Sequence, residues 1–287
     1  MRPLIQRTAD ELIDAMLAAG PGADLVASYC QPLPSRVICH LLGVTYRDHD
    51  LFEDATRQVL ATAATPEERG EAYGRIHAYI GDLITAAQQA PGEDLLSTLI
   101  TEQVGQGNLS AAELTALAVL LLLAGHETTA STIALGVVTL LDHPDQQALV
   151  TGHREGAAGA ADEMVRFHSL GDIDAGRVTT GELTVGGRTL PAGVGIIPVL
   201  SAGNRDPDVF EDPDQVNVLR EHVRRHVGFG YGRHQCLGQN LARAELEIAY
   251  RTLFARIPGL RLTGPVGELS FKHDSQIFGL HTLPVTW

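Results

Sequence analysis

Apolar residues recur at helical spacing over the first two-thirds of the chain. Residues 1–17 carry one apolar stripe, so the chain is expected to begin inside a helix. The same spacing predicts helices over residues 34–42, 46–61 and 160–168. The sequence contains no recognisable linker, repeat or low-complexity segment, which favours a single domain over residues 1–287.

Two longer helices open with capping boxes, in which a hydroxyl residue is followed three positions later by Glu. Thr65 and Glu68 form the first, which predicts a helix that runs to about residue 89. Ser110 and Glu113 form the second and open the longest periodic stretch of the chain. Each box satisfies backbone N–H groups that a helix start otherwise leaves without partners.

The pattern changes after residue 172 to short apolar runs separated by turns. Residues 178–185 and 188–190, joined by Gly186-Gly187, predict a β-hairpin, and residues 194–200 a further strand. The remaining segments are predicted as an ordered loop over 204–225, a helix over 237–257 and mostly short strands over 260–287. The fold class is therefore mainly α with small β-sheets (α+β).

Composition and charge narrow the class of protein. A net charge of -14 excludes nucleic acid as a partner, because a phosphate backbone needs a basic surface. The chain does not open with the basic and apolar regions of a secretory signal, and its most apolar run, residues 117–125, is too short to span a membrane. Cys30, Cys39 and Cys236 are too scattered for a disulfide framework, so a reducing cytoplasm is expected.

The segment from Phe229 to Gly238 reads F-G-Y-G-R-H-Q-C-L-G and lies next to a predicted helix. A thiolate at Cys236 would face unpaired N–H groups and the positive end of the helix dipole, which lower its pKa. Gly230 and Gly232 let the backbone pass close to a large flat ligand, and Gly238 lets the helix approach it. Phe229 is placed to shield the sulfur from water.

This segment matches F-G-x-G-x-H-x-C-x-G and resembles the cysteine-ligand signature of the cytochrome P-450 superfamily. The resemblance implies that Cys236 is the axial thiolate ligand of haem b and that Phe229, Gly230 and Gly238 lie against the cofactor. Thiolate ligation in this family favours O–O bond cleavage. The implied protein is a haem-thiolate monooxygenase with the cytochrome P-450 fold, a cytoplasmic monomer of the soluble bacterial type that acts in secondary metabolism.

A second segment, Ala124-Gly125-His126-Glu127-Thr128-Thr129, lies in the middle of the longest predicted helix. Gly125 weakens a helix interior, and threonine hydroxyls bond back to helix carbonyls, so this segment is expected to open locally. Glu127 beside Thr128 makes an acid–alcohol pair of the kind that relays protons.

The same segment resembles A-G-x-E-T-T of the distal helix in that family. The resemblance implies that Ala124 and Gly125 face the haem, that Thr128 hydrogen-bonds the oxygen ligand and that Glu127 gates its protons. Taken without the resemblance, these residues equally fit an ordinary helix with two threonines facing the core and one solvated glutamate.

Charged residues elsewhere match supporting positions of the family. Glu163 and Arg166 lie three apart on a predicted helix face and resemble its structural E-x-x-R pair. Arg177 and His234 are implied to bind the haem propionates, for which a guanidinium is suited by its fork of donors. One position departs from the pattern, because many relatives complete the E-x-x-R network with an Arg where this chain has Gln215; Arg220 is a candidate substitute.

The resemblance also implies partners. The substrates are dioxygen and a small lipophilic compound, which is hydroxylated or epoxidised with electrons from NAD(P)H through separate redox proteins. The weakly matched substrate-facing positions are Gly171, Asp172, Ile173, Ile277 and Phe278. A ferredoxin-like donor and its reductase are expected, and an acidic donor could dock on a basic cluster near Cys236. That cluster comprises Arg220, Arg224, Arg225 and Arg233, which alternatively serve internal carboxylates.

Soluble bacterial members of the family begin well upstream of residue 1. Roughly the first quarter of the expected fold is therefore predicted to be absent, including the first sheet strands and a loop over the substrate. Two further hypotheses stay open. One is a truncated, inactive haem-binding remnant, and the other is a zinc protein whose candidate ligands are His222, His226, His234 and Cys236.

Overall fold

The computed structural model describes residues 1–171 and 176–287. The helices are α1 (Arg2–Ala19), α2 (Pro32–Leu42), α3 (His49–Leu60), α4 (Pro66–Gln89), α5 (Leu95–Leu99), α6 (Ala111–Asp142), α7 (Pro144–Gly152), α8 (Gly156–His168), α9 (Leu200–Gly203) and α10 (Gln239–Arg256). The strands are β1 (Ala23–Asp24), β2 (Arg177–Val178), β3 (Leu183–Val185), β4 (Arg188–Leu190), β5 (Gly195–Ile196), β6 (Arg261–Leu262) and β7 (Pro284–Thr286). The α+β prediction is confirmed, with helices forming most of the structure.

Both capping boxes form as predicted. The Glu68 backbone N–H donates to Thr65 Oγ1 over 3.2 Å, and the Thr65 N–H donates to the Glu68 carboxylate over 2.8 Å. Ser110 and Glu113 make the same reciprocal pair at the start of α6. These local contacts explain why the starts of α4 and α6 could be read from sequence.

The strands are shorter than predicted and pair differently. The Gly186–Gly187 turn has φ values of +57° and +76°, which suits glycine and closes the β3–β4 hairpin. The predicted single strand over 178–185 is wrong, since β2 leaves the hairpin and pairs with β5. The predicted strand over 194–200 contains only β5 before α9 begins. In the tail, β6 and β7 join β1 in a three-stranded antiparallel sheet.

Two apolar clusters make up the core, and α6 contributes to both. In the larger one, the second half of α6 packs with α1, α8 and α10. Tyr250 on α10 donates to the Thr132 carbonyl of α6 over 2.7 Å. A Cβ at Gly136 would clash with the Tyr250 hydroxyl, so glycine permits this close approach of the two helices.

The smaller cluster joins α2, α3, α4 and α5 to the first half of α6. Because it passes through both clusters, α6 as a whole is long and apolar enough by composition to cross a membrane, although the run over residues 117–125 alone is too short. However, 56% of its most apolar stretch is buried inside the protein, as in the core helix of a soluble fold.

A buried ion cluster ties α8 to the loop that follows α9. Glu163 and Arg166 are fully buried and form a bidentate pair, with both N···O distances 2.8 Å. Arg166 also donates to the carbonyls of Asn204 and Pro213 over 2.8 and 2.9 Å. The pair therefore fixes both the helix and the loop beside it.

Arg220 completes this cluster. Its Nε lies 3.2 Å from both Glu163 carboxylate oxygens, and its Nη2 donates to the Gln215 carbonyl over 2.7 Å. Gln215 contributes only its backbone carbonyl to the network. Arg220 supplies the second arginine, which the side chain at position 215 does not provide. Arg220 thus takes the place of the arginine expected at position 215.

Candidate functional site

Cys236 lies on the loop that precedes α10. Its backbone N–H donates to the Phe229 carbonyl over 2.8 Å, which closes the loop, and the residue is exposed. Gly230 and Gly232 have φ values of +72° and +84°, a region that disfavours other residues. The helix starts two residues later than predicted, so Leu237 belongs to the loop and is 75% exposed.

The electrostatic surroundings of Cys236 differ from the sequence expectation. Desolvation by the surrounding loop raises the pKa of the Cys236 thiol above its ordinary value. The N–H groups of Gly238 and Gln239 and the charge of Arg243 act in the opposite direction and offset this only in part. The N–H groups at the helix start therefore lower the pKa of the thiol as predicted, but desolvation outweighs them.

The cysteine loop has open space beside two of its glycines. A Cβ built on Gly232 or Gly238 would meet no atom within 4 Å, so these glycines leave room beside the backbone. Tyr231 is 88% exposed, and with Leu237 it presents large apolar side chains on the same loop. Exposed apolar side chains of this size typically mark a binding surface.

The Phe229 ring contacts two charged or polar side chains. The Arg243 guanidinium lies over the ring at 4.6 Å from its centroid, and the His226 ring lies 5.5 Å away, centroid to centroid. Phe229 is half-buried between them.

One face of α6 is open although most of the helix is buried. Leu120 is 59% exposed, Ala124 is exposed and Thr128 is partly exposed. These residues are four apart and therefore share one stripe of the helix. The Thr128 hydroxyl donates to the Ala124 carbonyl over 2.8 Å. The open stripe carries two of the residues that the sequence assigned to the cofactor and oxygen.

Glu127 points away from that stripe. Its carboxylate forms an ion pair of 2.5 Å with Lys272 and accepts from the Ser131 hydroxyl over 3.5 Å, and the residue is buried. The structure therefore does not bring the predicted acid–alcohol pair of Glu127 and Thr128 together. Lys272, which sequence reasoning missed, is the only lysine in the chain.

Gly125 has a packing role. A Cβ at this position would lie 2.9 Å from Ile38 Cδ1 of α2, which a real side chain could not occupy without a shift. The helix continues without a break through residues 121–130, so the expected local opening is wrong. Gly125 allows α2 and α6 to approach at this point.

Arg177 and His234 are both exposed. Arg177 begins β2, and its guanidinium donates to the neighbouring Gly176 carbonyl over 2.9 Å. His234 ends a short 3₁₀ turn in the cysteine loop, over Gly232–His234. Within residues 1–171 and 176–287, neither side chain forms an ion pair, so both remain available to an anionic group.

Only some of the candidate substrate positions lie within the described residues. Asp172 and Ile173 lie outside the described residues. Gly171 is partly exposed, Ile277 is 4% exposed and belongs to the core, and Phe278 is 41% exposed and stacks on Phe271 at 5.5 Å. Among those described, Phe278 presents the largest apolar surface to an incoming molecule.

The predicted basic cluster divides into buried and exposed members. Arg220 is 9% exposed and belongs to the Glu163 cluster, so it does not contribute to a surface patch. Arg224 is largely exposed but pairs with Asp162 over 3.1 Å. Arg225 and Arg233 are exposed.

The zinc hypothesis fails on geometry. His226 faces the Asp162 carboxylate at 3.2 Å instead of Cys236. Across the part of the chain that the structure describes, no three Cys, His, Asp or Glu side chains converge as metal ligands.

Comparison with known proteins decides the family. The cytochrome P450 family model matches residues 64–152 and 159–256. The chain belongs to the cytochrome P450 family. It is 47% identical to cytochrome P450 105A3 of Streptomyces carbophilus and 48% identical to pentalenic acid synthase of Streptomyces avermitilis, covering all of this chain and 70% and 71% of those proteins.

Solved structures of cytochrome P450 proteins agree with the fold. MoxA of Nonomuraea recticatena superposes with a TM-score of 0.88 at 47% identity, and TxtC with 0.95 at 33% identity. Both comparisons cover this whole chain, and they cover 71% of the MoxA structure and 74% of the TxtC structure. The chain is thus a cytochrome P450 monooxygenase of the soluble bacterial type, and its cofactor is haem b.

Proposed function

We propose that Cys236 is the axial ligand of haem b in this cytochrome P450 and that the open surface beside it receives the porphyrin. The observation that carries the proposal is the exposed thiol on a loop in which Gly232 and Gly238 have open space beside them. A thiolate is a soft donor suited to iron, and the flat surface of a porphyrin needs close approach of backbone.

Other residues fit the same ligand. Arg177 and His234 would bind its propionates, since both are exposed and have no carboxylate partner within the described ranges. Ala124 on the open α6 stripe would lie against the side of the ligand opposite Cys236. Gly125 has a different role, because its lack of a side chain leaves the space that Ile38 of α2 fills. When bound, haem supplies the activation of dioxygen that a side chain cannot provide.

Thr128 and Glu127 would handle protons in two different places. Thr128 presents its hydroxyl on the open stripe, where it can hydrogen-bond a small ligand once its bond to Ala124 rearranges. Glu127 is held by Lys272, so it must leave that ion pair before it can pass a proton towards Thr128. In this proposal Lys272 sets the resting position of the acid.

The substrate is proposed to be a small lipophilic compound that is hydroxylated or epoxidised. Relatives include proteins named vitamin D3 dihydroxylase, from Streptomyces griseolus, and 20-oxo-5-O-mycaminosyltylactone 23-monooxygenase, from Streptomyces fradiae, at 45% and 41% identity. Phe278, exposed beside Phe271, offers an apolar contact for such a molecule.

Electrons are proposed to come from NAD(P)H through a ferredoxin-like protein and its reductase in the cytoplasm. Arg224, Arg225 and Arg233 would attract an acidic donor through their positive charge, and the net negative charge of the remainder of the protein would disfavour docking elsewhere. The alternative is a haem-binding remnant that does not turn over.

The test is the absorption spectrum of the reduced protein treated with CO, after reconstitution with haem. A thiolate-ligated haem gives a red-shifted Soret band, which is the expected result. A band at the ordinary position would contradict thiolate ligation by Cys236. Turnover of NAD(P)H with purified redox proteins then separates an active enzyme from a remnant.

Replacing Thr128 with alanine is expected to uncouple electron consumption from product formation. The variant lacks the hydroxyl on the open α6 stripe, so reduced dioxygen should leave as peroxide more often. Peroxide released for each NAD(P)H consumed should rise several-fold, as measured by a coupled peroxidase assay. Thr132→Ala is the matched control, since its hydroxyl also bonds one turn back, to the Thr128 carbonyl. Equal peroxide release from both variants would argue against a role for Thr128.

The Glu127–Lys272 ion pair can be tested without haem. As the chain's only lysine, Lys272 is a single reporter for an amine-acetylating reagent, apart from the terminal amine. Its side chain is 16% exposed and held by Glu127, so slow acetylation is expected. Glu127→Gln should speed labelling of Lys272 several-fold, as followed by peptide mass spectrometry. Glu113→Gln, a surface change on the same helix, should leave it unchanged. An unaltered rate in Glu127→Gln would contradict the ion pair.

A further inference from the structure

Asp162 is a buried carboxylate with no part in the chemistry proposed above. The residue is 2% exposed, yet three basic side chains converge on it. Arg243 Nε lies 2.6 Å from its carboxylate, Arg224 Nε 3.1 Å and His226 Nε2 3.2 Å. Burial alone would raise the pKa of Asp162, but the hydrogen bonds from His226 and Arg243 prevail and lower it. A buried carboxylate is stable only when it is paired, so three partners around Asp162 indicate a structural role for its charge.

His226 connects Asp162 to the backbone of the cysteine loop. Its Nδ1 accepts the Gly228 N–H over 3.1 Å, so in the neutral ring the proton is on Nε2 and is donated to Asp162. Gly228 packs directly on α8, because a Cβ there would lie 2.7 Å from Val165 Cγ1. The bond from Asp162 therefore sets the position of the chain one residue before Phe229.

Arg243 makes the second connection. Its guanidinium donates to Asp162 over 2.6 Å and to Gln239 Oε1 over 2.8 Å, and its Cζ lies 4.6 Å from the centroid of the Phe229 ring. With His226 also against the ring, Phe229 is held by two groups that share one carboxylate. The Phe229 carbonyl in turn accepts the Cys236 N–H.

We infer that Asp162 is a positioning residue for the cysteine loop: through Arg243 and His226 it fixes Phe229, and through Phe229 it fixes Cys236. The loop is exposed from Tyr231 to Gly238, so contacts from α8 and α10 to its buried end add to the hydrogen bonds within the loop in holding its geometry. The consequence for haem ligation rests on the proposed role of Cys236.

Arg224 provides a matched control. It binds the same carboxylate through the same atom, Nε, but its side chain is 74% exposed. Its guanidinium makes no ring contact with Phe229 in the described structure. A role limited to neutralising Asp162 would make Arg224 and Arg243 equivalent, whereas a positioning role makes only Arg243 important for the loop.

The first experiment is amide hydrogen exchange of the haem-free full chain, read by mass spectrometry over residues 227–239. Arg243→Gln is expected to speed exchange there by about tenfold, because Phe229 loses one of its two supports. Arg224→Gln is expected to stay within about twofold of the parent protein. Equal changes in the two variants, or an unchanged loop in Arg243→Gln, would overturn the inference.

The second experiment uses the haem-loaded protein and its reduction potential. Arg243→Gln removes a positive charge near the sulfur, which disfavours the more negative reduced state, so the potential should become more negative. Arg224→Gln should leave the potential unchanged. Asp162→Asn should reproduce the effect of Arg243→Gln on loop exchange, and if that variant does not fold, Arg243→Gln still decides. Failure of the parent chain to ligate haem would contradict the proposed function only, because the exchange experiment requires no haem.

Discussion

Replacing Cys236 with alanine is expected to remove the red-shifted Soret band of the reduced, CO-treated protein completely. The methyl group cannot donate to iron, and the neighbouring residues provide no second thiolate, because Cys30 and Cys39 are buried in the core. Any haem that the variant retains should therefore show its band at the ordinary position. The spectrum should be recorded at equal haem content for both proteins.

Cys39→Ala serves as the control for this substitution. Cys39 lies on α2 and is 1% exposed, so its loss should affect packing and leave the position of the band unchanged. A red-shifted band that survives in Cys236→Ala would disprove the ligand assignment. Loss of the band in both variants would show that the spectrum reports folding instead of ligation.

Replacing Glu163 with glutamine is expected to lower the free energy of unfolding by about 3–5 kcal/mol, the usual loss when one member of a buried ion pair is removed. Arg166 and Arg220 would keep their charges in a site where both lose the carboxylate they share. Glutamine has nearly the same shape, so the change isolates charge from packing. Urea unfolding of the haem-free chain measures the difference.

Asp214→Asn is the matched control for Glu163→Gln. Asp214 pairs with Arg205, but its side chain is 81% exposed, so the expected loss is at most about 1 kcal/mol. Similar losses of unfolding free energy in the two variants would show that the buried ion pair of Glu163 stabilises the protein no more than an exposed one.

Local signals were predictable from the sequence. The capping boxes at Thr65 and Ser110 formed because each depends on residues three apart. The Gly186-Gly187 turn likewise formed where glycine's freedom at positive φ was required. The strands beside it were overextended because β2 pairs with β5, and no local pattern encodes that pairing.

Long-range contacts in the candidate site were not predictable in the same way. Glu127 and Thr128 are adjacent in sequence, but adjacent helix residues do not face each other, so only the fold could show that Glu127 binds Lys272 instead. The residues of the cysteine loop and of the Ala124–Thr129 segment were predictable because each signature occupies a short continuous stretch of sequence. Asp162 and Arg243 belong to no motif that was recognised, although Asp162 directly precedes Glu163.

The Glu163 cluster also limits how the length of this chain can vary. The Asn217 N–H donates to Glu163 over 2.9 Å, and the Gln215 carbonyl accepts from Arg220, so the segment between them is fixed in register to one carboxylate. An inserted or deleted residue there would separate Arg220 from its partner. The β3–β4 turn depends instead on its own two glycines, which adopt positive φ, and it joins two strands whose residues are mostly exposed. An affinity tag or reporter peptide therefore belongs in that turn, and a search for functional variants should keep the length of the Gln215 segment constant.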